Sequence, residues 1–176
     1  MNFRSKVKGQ RSKRAAVLAL GMLLCATPAV AQDEIGIKRG SPAPGAVVEK
    51  LDGTSVDLKS YIGKQPVLIE FWATWCSNCK QLEPAVHAAA KKYAGKIRFI
   101  GVAVSVNQSV DRVKAYAEKH GLPLEVLYDR KGFASDVYEV PATSYIVVID
   151  SMGTVVYTGL GGDQDLDSAI RKALGG

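Results

Sequence analysis

The run Val67-Leu68-Ile69-Glu70-Phe71-Trp72 leaves this chain few options. It is nearly continuous apolar sequence, the pattern of a strand covered on both faces in a largely parallel sheet. Four residues after Trp72 come Cys76 and Cys79, spaced C-x-x-C, and there a helical pattern begins. Leu82, Val86, Ala89 and Tyr93 share one face of a helix predicted from about Cys76 to Tyr93. A buried strand that hands over at once to a helix predicts an α/β layered fold.

The rest of the chain supports that architecture. Val47-Val48 and Ser55 to Leu58, joined by Leu51-Asp52-Gly53-Thr54, predict a hairpin with an Asp-Gly turn. Strands are predicted at Ile97–Val104, Leu124–Tyr128, Ser144–Ile149 and, as an antiparallel edge, Thr154–Thr158. Ser109 is placed to cap a helix that Gly121 ends, and Gly132–Tyr138 reads as a short helix. Asp163 is the predicted cap of a last helix whose stripe is Leu166, Ala169, Ile170, Ala173 and Leu174.

The two cysteines carry the chemistry. Cys76 at a helix N-terminus meets unpaired backbone N–H groups and the positive end of the dipole, which favour a thiolate. It is expected to be exposed and nucleophilic. Cys79, one turn inside, is the expected resolving thiol, buried and less acidic. An inert structural disulfide would close a very short loop and contribute little stability. A zinc site would need further ligands, and His87 and His120 lie 33 positions apart, far from the usual short histidine spacing.

The net charge of +6 is carried by the leader. Six of the 23 Lys and Arg fall between Arg4 and Arg14, so residues 32–176 hold 17 basic against 17 acidic side chains. A neutral body gives no basis for nucleic acid as a partner. The basic head, the apolar run Ala15–Cys25 and the exit Ala29-Val30-Ala31 predict a cleavable signal peptide over 1–31. Retention as a membrane anchor is the alternative. A flexible lead-in over 32–40 and a single domain over 41–176 follow, in a periplasmic or other extracytoplasmic compartment.

Several motifs together resemble the exported TlpA/ResA-type thioredoxin-like oxidoreductases. They are Phe71-Trp72-Ala73-Thr74-Trp75-Cys76-x-x-Cys79, Pro84, Val140-Pro141-Ala142-Thr143, Ile149-Asp150-x-x-Gly153, and Gly40-x-x-Ala43-Pro44 before Leu51-Asp52-Gly53. The resemblance spans about residues 40–174 and implies a thioredoxin fold with an N-terminal β-hairpin extension and an inserted helix–strand unit at about 109–128. It implies thiol–disulfide exchange through Cys76 and Cys79, without a cofactor or metal. It aligns Glu70 with the buried acid behind the thioredoxin cysteines, where burial would fit it to take the proton of Cys79; pairing with Lys64 is the competing reading. Pro141 resembles the cis-proline of the fold, with Val140 offering its backbone to a client and Trp75 forming an exposed wall beside Cys76, while Trp72 packs inside.

The resemblance further implies a disulfide-bearing client, the C-x-x-C-H cysteines of apocytochrome c, and a membrane thiol donor of the DsbD/CcdA type. A monomer is expected, and a disulfide isomerase is disfavoured because no dimerisation domain is visible. Ser77 and Asn78 carry no charge between the cysteines, which suits a reductant nearer thioredoxin (about −270 mV) than DsbA (about −120 mV). Two alternatives remain: a copper-handling module using both thiolates, and a thiol peroxidase, whose Pro-x-x-x-Thr-x-x-Cys pattern is missing.

Overall fold

The computed structural model describes Met1, Asn2 and residues 35–175, so the expected signal peptide lies almost wholly outside the described residues. Among the described residues, all regular elements belong to the unit Gln32–Gly176. The strands are β1 (Val47–Lys50), β2 (Ser55–Asp57), β3 (Val67–Trp72), β4 (Arg98–Val104), β5 (Glu125–Asp129), β6 (Tyr145–Ile149) and β7 (Val155–Leu160). The helices are α1 (Ser77–Lys92), α2 (Val110–His120), α3 (Phe133–Val137) and α4 (Leu166–Ala173). Among the described residues, none of the helices is long and apolar enough to cross a membrane.

The strands form one mixed sheet in the order β2-β1-β5-β4-β3-β6-β7. Strands β5, β4 and β3 run parallel at its centre, and β6 and β7 continue antiparallel beside β3. The hairpin β1–β2 joins the opposite edge through β5, where Glu49 pairs with Tyr128. The inserted unit predicted at about 109–128 is therefore α2 and β5, and it supplies the strand on which the N-terminal hairpin docks. This is the thioredoxin-like α/β fold that the motifs implied.

Strand β3 is buried along its whole length, and its alternation divides the core. Val67, Ile69 and Phe71 face one apolar cluster with Tyr138 and Tyr145. Leu68, Glu70 and Trp72 face the other side, where α1 and α4 supply Leu82, Val86 and Ile170, and α2 supplies Val113 near Trp72.

Two local expectations change. The last helix is capped by Asp165, whose carboxylate accepts from Ser168 N at 2.9 Å, and not by Asp163. Gln164 explains the offset: its amide donates to the carbonyls of Ser144 and Gly161, fixing the chain before the helix can start. The stretch 35–40, expected to be flexible, is tied down. Ile37 is buried and donates its N–H to Tyr145 Oη at 3.0 Å, while Gly40 N donates to Val155 O at 2.7 Å. Gly36 (φ +73°) lies so close to Tyr145 that a Cβ would fall 2.2 Å from its hydroxyl.

Candidate active site

The turn between β3 and α1 presents the two cysteines. Cys76 N donates to Ala73 O at 3.1 Å, which closes the turn. Cys76 then serves as the N-cap of α1, extended at φ −77° and ψ 115°, and its Sγ accepts from Cys79 N at 3.0 Å. A sulfur in that position receives an otherwise unpaired helix N–H, the physical basis of a stabilised thiolate. Cys76 and Cys79 are joined as a disulfide with Cα atoms 5.3 Å apart.

Cys76 was expected to be exposed, yet it is only 5% accessible, as buried as Cys79 at 4%. Capping explains the difference. The sulfur turns back over the first helical turn, toward Cys79 N and Cys79 Sγ, and packs with Trp72, Ala73 and Val104. Trp75, 42% accessible, stands at the rim, and its indole N–H donates to Val106 O at 2.8 Å. Trp72 is buried as expected, and its Nε1 has no hydrogen-bond partner.

Glu70 sits behind the cysteines, opposite Gly101 of β4 and Ile146 of β6, and is 5% accessible. Burial, reinforced by the charge of Glu83, pushes its carboxyl up to about 8. Lys64 is not among the groups acting on it. A cavity of about 10 Å³ lies between Glu70, Trp72, Cys79 and Glu83, at the lower limit of what can hold one water. Strand and helix thus bring Glu70 and Cys79 to the same small space.

The loop opposite departs from expectation. No cis peptide bond occurs among the described residues, so Val140–Pro141 is trans. Left-handed backbone at Glu139 (φ 49°) and Ser144 (φ 67°) brackets the loop. Val140 N donates to Ser135 O at 2.9 Å, so that N–H is occupied by the end of α3 and is not offered outward. Trp75 and Val140 nonetheless line one groove of about 350 Å³, with Val106, Ser135, Asp136 and Thr143.

Sequence reasoning missed three contributors. Gln108 accepts from Thr74 N at 2.9 Å and so braces the turn before Cys76. Tyr116 and His120 reach from α2 to Glu83. His87 is exposed but borders the Glu70 cavity. The available signal was spacing, since Cys79, Glu83 and His87 repeat every four residues and Tyr116 and His120 are four apart. Among the described residues, no three His, Cys, Asp or Glu side chains are grouped to hold a metal ion.

The AhpC/TSA family profile matches residues 39–158, which include both cysteines, Glu70 and the Val140–Pro141 loop. The chain belongs to the AhpC/TSA family. It is 35% identical over 123 residues to the thioredoxin-like protein YneN of Bacillus subtilis, covering 69% of this chain and 71% of that one. It is 30% identical over 154 residues to the thiol-disulfide oxidoreductase ResA of Bacillus subtilis, covering 83% and 85%. Among solved structures, a thioredoxin-family thiol:disulfide interchange protein of Chlorobium tepidum superposes with a TM-score of 0.64 at 27% identity, covering 78% and 99%. The exposed lipoprotein thioredoxin of Streptococcus pneumoniae gives 0.62 at 26%, covering 75% and 99%. With its cysteine pair at disulfide distance, the chain is a thiol–disulfide oxidoreductase of the ResA/TlpA type.

Proposed function

We propose that this oxidoreductase works outside the cytoplasm as a reductant of client disulfides, with Cys76 as attacking sulfur, Cys79 as resolving sulfur and Glu70 as the acceptor of the Cys79 proton. The observation that carries the reading is the cavity shared by Glu70 and Cys79 directly behind the Cys76 cap. Groups on α1 and β3 could otherwise point anywhere along a buried face; these two meet.

The reaction runs in two displacements. The Cys76 thiolate attacks one sulfur of the client disulfide, forming a Cys76–client disulfide and releasing the other client sulfur as a thiolate. Cys79 then gives its proton to the Glu70 carboxylate and attacks the Cys76 sulfur, so that the Cys76–Cys79 disulfide forms and the second client thiolate leaves. The client takes up two electrons and, with two protons, becomes a dithiol. A membrane thiol donor of the DsbD/CcdA type would reverse these steps on the protein. The client would be an apocytochrome c carrying C-x-x-C-H, its apolar flank lying in the groove of Trp75 and Val140, beside Pro141. The uncharged Ser77-Asn78 pair and the exposed-lipoprotein relative support a reducing, extracytoplasmic role.

The test separates the two displacements. A carboxyl held up to about 8 is ionised in only a minority of molecules at pH 7, so release of client should quicken as pH rises toward 8. In stopped-flow kinetics, Glu70→Gln should slow release by on the order of 10²-fold while leaving the initial attack by Cys76 nearly unchanged. Equal slowing of both steps, or of neither, overturns the role of Glu70. Cys79→Ser should accumulate clients on Cys76, and their identification by mass spectrometry tests the apocytochrome assignment.

A further inference from the structure

Glu83 follows Cys79 by four residues in α1 and so lies on the same helix face, bordering the cavity that Glu70 and Cys79 share. Two side chains of α2 grip its carboxylate. Tyr116 Oη donates to one oxygen, and His120 Nδ1 lies 3.1 Å from the other. The imidazole stacks on the phenol ring with centroids 3.9 Å apart, and that ring in turn lies 5.6 Å from the indole of Trp72. Gly101 allows the indole to close the other wall, since a Cβ there would come within 2.9 Å of Trp72 Nε1.

The titratable groups around this space come from three elements. Strand β3 contributes Glu70, α1 contributes Cys79, Glu83 and His87, and α2 contributes Tyr116 and His120 from behind Glu83. Lys and Arg are missing from the cavity lining. A negative charge fixed at one wall of so small and poorly solvated a space acts strongly on any second negative charge forming there. A carboxylate free to swing into solvent would act weakly.

We propose that Tyr116 and His120 are positioning residues of the exchange reaction: they hold the Glu83 carboxylate at the cavity wall, where its charge bears on Glu70 and so governs when the resolving sulfur is released. The inserted helix α2 is then part of the redox machinery as well as of the scaffold. The consequence for turnover rests on the proposed role of Glu70, whereas the coupling between Glu83 and Glu70 does not.

The experiment follows the side-chain carboxyl of Glu70 by ¹³C NMR against pH in the oxidised protein, where neither cysteine titrates; loss of the signal in Glu70→Gln assigns it. Glu83→Gln should move the Glu70 midpoint about one pH unit lower, and Glu83→Asp should restore part of the change. Tyr116→Phe keeps the ring but removes the donor, and should lower the midpoint by a smaller amount. In a Glu83→Gln background, Tyr116→Phe should add nothing, a non-additivity that a merely structural residue would not show. An unmoved midpoint in Glu83→Gln, or additive effects of the two substitutions, overturns the proposal. If Glu83→Gln moves the midpoint while Glu70→Gln leaves client release unchanged, the coupling stands and the proposed role of Glu70 falls.

Discussion

The two faces of β3 are built from alternating residues of one six-residue strand, and they are built to different rules. On one face Val67, Ile69 and Phe71 meet Tyr138 and Tyr145, with ring centroids 5.4 and 6.1 Å from Phe71. Every polar atom brought there is satisfied: Tyr138 Oη donates to Pro44 O, and Tyr145 Oη donates to Ile35 O while accepting from Ile37 N. On the other face Glu70 is buried as a carboxyl, Trp72 Nε1 is unpartnered and a small cavity remains. An unpaired donor and a buried acid both destabilise a fold. Both faces are packed with apolar side chains, but the strand carries its buried acid and its unpartnered donor only on the face behind the cysteines.

Substitutions on the two faces should separate stability from chemistry, and denaturant titration of the oxidised protein gives the first half of the answer. Phe71→Ala should be the most damaging, lowering stability by about 3–5 kcal/mol through lost burial and a residual cavity, while leaving the pH dependence of client release in place. A changed pH profile would mean that the faces are coupled. Glu70→Gln should act in the opposite sense. Between about pH 4.3, the unfolded-chain value, and about 8, the folded protein keeps a proton that the unfolded chain has lost. Stability of the wild type should then fall as pH rises through that window. Relative to the wild type, Glu70→Gln should gain about 5 kcal/mol between pH 4 and pH 9; a constant difference from pH 4 to 9 would contradict the raised carboxyl. Tyr145→Phe should cost about 1 kcal/mol, because Ile37 N retains Tyr138 O as an acceptor, with exchange kinetics unaltered. The smallest effect belongs to Trp72→Phe, within about 1 kcal/mol of wild type, since removing the unpartnered N–H offsets much of the lost ring area.

What could be read in advance followed from local rules. The apolar run of β3, the Asp-Gly hairpin, the Ser109 cap with Gly121 in left-handed backbone, and the contrast between Trp72 and Trp75 all depend on residues close in sequence. The helix-start position of Cys76 was legible for the same reason; its burial was not, because the cluster that encloses it draws on β4, α2 and β5 as well as its own turn. The Val140–Pro141 bond is trans where the motif implied cis, and the unusual backbone falls on Glu139 and Ser144, residue types that do not signal a left-handed conformation. Asp165 and Asp163 are equally good caps locally, and only the Gln164 bonds to Ser144 and Gly161 choose between them. The grip of Tyr116 and His120 on Glu83 spans 33 and 37 residues; four-residue spacing marks a face on each helix but does not say which faces meet.

The docking of the hairpin on β5 also orders events in time. Glu49 must find Tyr128 before the sheet can be completed, and contacts that distant in sequence form slowly. A two-stranded ribbon is marginal in water on its own, and the β1–β2 hairpin, synthesised well before β5, has no third strand to join until β5 is available. A nascent chain stalled before residue 125 would carry an unpaired edge, and such intermediates are where aggregation, chaperone capture and proteolysis begin.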